Sequence, residues 1–161
     1  MKNLPKGCPD SEHAKHKGLC EGIRMVGKAF KLAWYEHEKR VEIAKKALSI
    51  SQHLPDAYCL LAEHEANTVE EAEKRYQQAV DSGYFLARDV LEKKHDDLLL
   101  ISRPLARALH GLALCQFKLG KLSKSFSTAS DYCKYFGRGQ KQTFAGFLLF
   151  GIAYFHCVER G

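Results

Sequence analysis

Cys8, His13, His16 and Cys20 fall within 13 residues, and four nitrogen or sulfur donors are what a tetrahedral zinc site requires. Their spacing matches none of the strong zinc patterns, and the segment has few apolar residues to shape a site. The expectation is therefore no metal, and a flexible polar leader over residues 1–17. His37-Glu38 begins like the helical zincin motif, but position 41 holds Val where a second His is needed. Asp96 and Asp97 would diverge by about 100 degrees on a helix, so they do not form a carboxylate pair facing one substrate. The basic turn GRGQKQ at 137–142 lacks the spacing that cradles phosphate, and it follows a predicted helix where such a loop follows a strand. No nucleophile–base constellation emerges, so the chain is expected to be no enzyme and to carry no cofactor.

The elements that would position any site are helices. Four Pro in 161 residues and a sustained 3.6-residue apolar period predict an all-α chain. The clearest stretch is 56–83, DAYCLLAEHEANTVEEAEKRYQQAVDSG. Tyr58, Leu61, Ala62 and Ala66 share one helix face, and Ala72, Tyr76, Ala79 and Val80 share another. Pro55 and Asp56 suit a helix start, Thr68 can cap the second helix, and Gly83 suits a left-handed C-terminal position. Small residues at Ala62 and Ala72 would let the two helices approach closely. Helix pairs are likewise expected at 19–51 and 103–136, with an inserted helix, or an extension of the second helix, at about 85–100. A final helix is expected at 143–158. Trp34 and Tyr35 are expected to pack near a helix turn, and Phe126, Ala129, Tyr132 and Cys133 to face inward. Everything from 18 to 161 then forms one helical-repeat domain.

Here a resemblance enters. Ala72, Tyr76 and Ala79 match the second-helix spacing of tetratricopeptide repeats, and Tyr58, Leu61 and Ala62 match the first. The order recurs at Ile23, Val26, Gly27 and Phe30, at Leu109, Leu112, Ala113 and Phe117, and at Phe147, Phe150, Gly151 and Tyr154. AYCLLAEHEANTVEEAE is also similar to a helical segment of the suppressor-of-tumorigenicity family, whose members carry such repeats. The resemblance implies a right-handed superhelix of antiparallel helical hairpins, a tetratricopeptide-like α-solenoid. It also implies a groove that holds a peptide or partner protein, making the chain an interaction scaffold. Carried onto this sequence, the groove positions are Arg24, Lys28, Lys31, Glu63, Arg107 and His110. Arg24, Lys28 and Lys31 lie at i, i+4 and i+7, a basic stripe suited to acidic side chains or a peptide carboxylate. The Lys and Asn clamp of chaperone-binding members is not recognisable, because Cys59 and His110 stand at the matching positions.

Charge distribution bears on the partner. Residues 1–50 carry 11 basic and 6 acidic side chains, residues 51–100 carry 5 and 11, and residues 101–161 carry 9 and 2. This basic–acidic–basic layout suits charged protein partners or self-association better than a nucleic-acid track, so nucleic-acid binding through the basic ends is the alternative reading. The helix at 143–158 is apolar nearly all round and is expected to seek a cover, which includes a second copy. Six Cys without a CxxC pair predict buried free thiols in a reducing compartment. The polar opening residues show no secretory signal, and Thr143–Val158 falls short of a membrane span, so the expected location is the cytoplasm.

Overall fold

A computed structural model describes residues 18–93 and 98–136. The leader with Cys8, His13 and His16, the Asp96–Asp97 pair, the basic turn at 137–142 and the helix expected at 143–158 lie outside the described residues. Those described form six α-helices and no strand. They are α1 (Leu19–Lys31), α2 (His37–Ile50), α3 (Pro55–His64), α4 (Val69–Lys93), α5 (Leu98–Lys118) and α6 (Leu122–Phe136).

Local chemistry accounts for several boundaries. Pro55 opens α3, where its missing N–H costs nothing. Thr68 Oγ1 accepts the Glu71 backbone N–H at 3.2 Å, while the Glu71 carboxylate accepts the Asn67 N–H at 2.8 Å. The start of α4 is thus satisfied by a reciprocal pair close to a capping box, displaced by one residue. At the end of α5, Gly120 adopts φ +70°, its N–H reaches the Phe117 carbonyl at 2.9 Å, and the Lys121 N–H reaches the Gln116 carbonyl at 2.8 Å. Both bonds of a Schellman ending are present, and the left-handed residue is the one that lacks a Cβ.

Each helix packs against the next, and α3 also packs against α5. This makes α3 the pivot. Ala57, Leu60 and Leu61 enter one apolar cluster with Leu19, Val26 and Ala29 of α1 and Ala44 and Ala47 of α2. Cys59 enters a second with Ala79 and Val80 of α4 and Leu105, Ala108, Leu109 and Leu112 of α5. A helix between two cores needs apolar residues nearly all round, and α3 buries Pro55, Ala57, Cys59, Leu60, Leu61 and Ala62. The single stripe expected from its periodicity understates it.

Two expectations are corrected, and one pair of alternatives is resolved. Gly83 is no terminator: α4 runs on to Lys93, and a Cβ at Gly83 would stand 2.8 Å from Leu105 Cδ1. The glycine is there because α5 crosses closely. Of the two alternatives for 85–100, the described residues show the extension of the second helix. Residues 85–93 continue α4 and 98–100 begin α5, which holds Pro104 inside it. The extension of α4 reaches back to the first unit, where Leu86 joins the α1–α3 cluster and Phe85 stacks on His53 with centroids 3.9 Å apart. Phe126, expected inward, is 58% exposed. The α5-facing side of α6 instead carries Ser125 and Thr128, whose hydroxyls reach the Ala113 carbonyl and Gln116 Oε1, both at 2.8 Å.

Candidate functional site

The six residues expected to line a groove separate into two groups. Arg24, Lys28 and Lys31 are all exposed on α1, and among the described residues no acidic side chain pairs with them. Gly27 lies on the same exposed face, and a Cβ there would meet nothing within 4 Å. The stripe is therefore a bare cationic surface with a smooth centre.

Glu63, Arg107 and His110 belong to a more enclosed setting between α3 and α5. Arg107 pairs with Asp56, and its guanidinium carbon lies 4.4 Å from the Phe30 ring centroid. It also stabilises the charged form of Glu63. Tyr76 donates its hydroxyl to Glu63 Oε1 at 3.5 Å. Burial pushes the Asp56 and Glu63 carboxyls up, with Arg107 opposing in both cases. Burial, reinforced by Asp56 and Glu63, drives the Cys59 thiol well above its ordinary range, so Cys59 is a packed thiol and no nucleophile. Burial also lowers His110, which favours its neutral form. Asp56, Phe30 and Tyr76 were not expected here. Asp56 reads locally as a cap, and nothing in the sequence links it to Arg107, 51 positions away.

A third group was overlooked at the α1–α2 loop. Trp34 is 74% and Tyr35 68% exposed, contrary to the packing role expected of them. The Trp34 indole meets the His37 imidazole edge-on with centroids 6.1 Å apart. His37 Nδ1 and His64 Nδ1 lie 2.7 Å apart, and Arg40 Nη1 reaches His64 Nε2 at 3.3 Å. Arg40 can only donate, so His64 accepts on Nε2 and donates from Nδ1 to His37. Burial, with Arg40 and His37 adding to it, lowers the His64 pKa and keeps it neutral.

Among the described residues no group of three or more His, Cys, Asp or Glu could hold a metal ion. No described helix is long and apolar enough to cross a membrane. Cys59 and Cys115 are free and buried. Cys20 is disulfide-bonded, so the free-thiol expectation is corrected at that position.

These features define an all-α protein of serially packed helices that displays a cationic stripe, an enclosed charge cluster and an aromatic corner. Residues 20–137 match the model of the ST7 protein family, and the chain belongs to that family. It is similar to the suppressor of tumorigenicity 7 protein-like of Homo sapiens, with 30% identity over 122 residues, 71% of this chain and 21% of the relative. The Gallus gallus counterpart is 29% identical over 124 residues, 72% of this chain and 22% of the relative. The Danio rerio one is 29% identical over 121 residues, 74% and 20% respectively. The chain thus spans about a fifth of the length of the curated relatives it matches. No solved structure matches it.

Proposed function

We propose that the helix pairs build a right-handed, tetratricopeptide-like superhelix, and that this module is a non-catalytic scaffold holding an acidic peptide or partner protein. The packing order supports the architecture. α3 lies against both its sequence neighbours and against α5, the relation that stacked two-helix units create between alternate helices.

The observation that carries the function is the bare stripe of Arg24, Lys28 and Lys31. Three cations left without acidic partners, beside a glycine that leaves room for an approaching backbone, suit carboxylates supplied from outside. Arg107 is already committed to Asp56, so in this reading Arg107 and Glu63 shape the neighbouring wall and do not grip the ligand directly.

The test is capture from lysate, run with and without nuclease treatment, with the native chain and with an R24E/K28E/K31E variant in parallel. A discrete protein retained by the first and lost by the second supports the scaffold. Recovery of nuclease-sensitive material alone transfers the basic stripe to the nucleic-acid alternative, whose mark is steep loss of binding with salt.

A further inference from the structure

We infer that the α1–α2 corner is a second docking surface, separate from the basic stripe, and that it takes a Lys- or Arg-bearing segment of a partner protein between Trp34, Tyr35 and the acidic face of α2.

The corner is presented rigidly. Glu36 closes the loop by accepting the Ala33 N–H at 3.1 Å and Lys39 Nζ at 2.5 Å. Arg40 Nη2 donates to the Leu32 carbonyl at 2.7 Å from the next turn of helix. Two large aromatic rings are therefore held in water by a loop braced at Leu32, Ala33 and Glu36. Trp and Tyr in such a setting are the residues that most often dominate binding energy, because little side-chain freedom is left to lose.

The charge beside them selects the occupant. A cleft of about 440 Å³ continues from His37 and is lined by Glu38, Val41, Glu42, Lys45, His64 and Glu65. Lys45 pairs with Glu65, which Arg75 also reaches at 3.4 Å. Glu38 and Glu42 are exposed on one face of α2, one turn apart, and pair with no cation among the described residues. Two unspent carboxylates line the cleft that begins at His37, the ring Trp34 meets edge-on, so charge from the cleft and quadrupole from the exposed rings both attract a cation. Val41 supplies an apolar floor for the stem of a Lys or Arg side chain. The cleft lining carries Glu38, Glu42 and Glu65 against Lys45 alone, an acidic excess that sets this corner apart from the α1 stripe.

Trp34 is the only tryptophan in the chain, so its emission reports on this corner directly. The full chain would be titrated with a short peptide alternating Lys and Ser, and with its Glu and Ser counterpart. The Lys peptide is expected to shift Trp34 emission saturably. An E38Q/E42Q variant should weaken that binding about fivefold or more, whereas K124Q, an exposed change on α6, should leave it unchanged. The exposed Glu-to-Gln changes conserve shape, and an unaltered circular dichroism spectrum shows that the fold is retained. Absence of a saturable shift, an equal response to the Glu peptide, or unchanged affinity in E38Q/E42Q overturns the inference. Emission that changes with protein concentration before any peptide is added also overturns it, because the occupant is then a second copy of the chain.

Discussion

Arg107 of α5 lies 4.4 Å from the ring centroid of Phe30 in α1 while it ion-pairs with Asp56 of α3, so one side chain ties together three helices that begin far apart in sequence. The Arg107 and Asp56 side chains remain 39% and 24% exposed, and solvent screening limits what their attraction contributes. The stacking adds to it, and removing the cation would strand a shielded carboxylate. R107A is expected to lower stability by about 2 kcal/mol, and R107K to recover less than half, because an ammonium lacks the planar face. D56N should cost less than R107A, since it leaves no unpaired anion. Urea titrations of the three variants decide the matter. A D56N loss larger than that of R107A would show that the anion, and not the stacked cation, organises the junction.

Two glycines inside helices should respond oppositely to the same substitution. A Cβ at Gly111 would overlap the Tyr76 ring, which is itself packed against the α3–α5 cluster. At Gly27 a Cβ would meet nothing within 4 Å. G111A is therefore expected to destabilise by about 2 kcal/mol through overpacking, and G27A to stabilise by about 0.5–1 kcal/mol through helix propensity. Thermal melts suffice as the measurement. A harmless G111A would mean that the α4–α5 approach relaxes easily.

Stability should fall on mild acidification. His64 and His110 both have pKa values lowered from 6.5, chiefly by burial, so the unfolded chain binds protons there first. Their contribution is fully present above the unfolded value and is lost as pH falls through the folded ones. The raised carboxyls of Asp56 and Glu63 act with the opposite sign: their contribution is present below the unfolded values of 3.8 and 4.5 and is lost as pH rises through the folded ones. Between about pH 7.5 and 5.5 the histidines should dominate and the melting temperature should drop. An H64Q/H110Q variant should flatten that slope. An unchanged slope would place the acid sensitivity elsewhere.

What the sequence determined by itself is what short-range physics controls. The helical period at 56–83, the Thr68 cap and the Gly120 ending depend on groups within a few residues of one another, and each is seen in the fold. The exposure of Arg24, Lys28 and Lys31 likewise follows from helix phase, once α1 turns Val26 and Ala29 inward. Only the tertiary structure decided the rest. Gly83 reads as a terminator until Leu105 is brought beside it, and Asp56 reads as a cap until Arg107 arrives from 51 residues away. Ser125 reads as an ordinary polar residue until the Ala113 carbonyl stands 2.8 Å from its hydroxyl. Trp34 and Tyr35 look like core because large aromatics usually are, and whether another helix covers them is a matter of packing and not of local pattern. Periodicity states which face of a helix is apolar, but the partner of that face is chosen by the whole chain at once, when distant segments compete to exclude water from it.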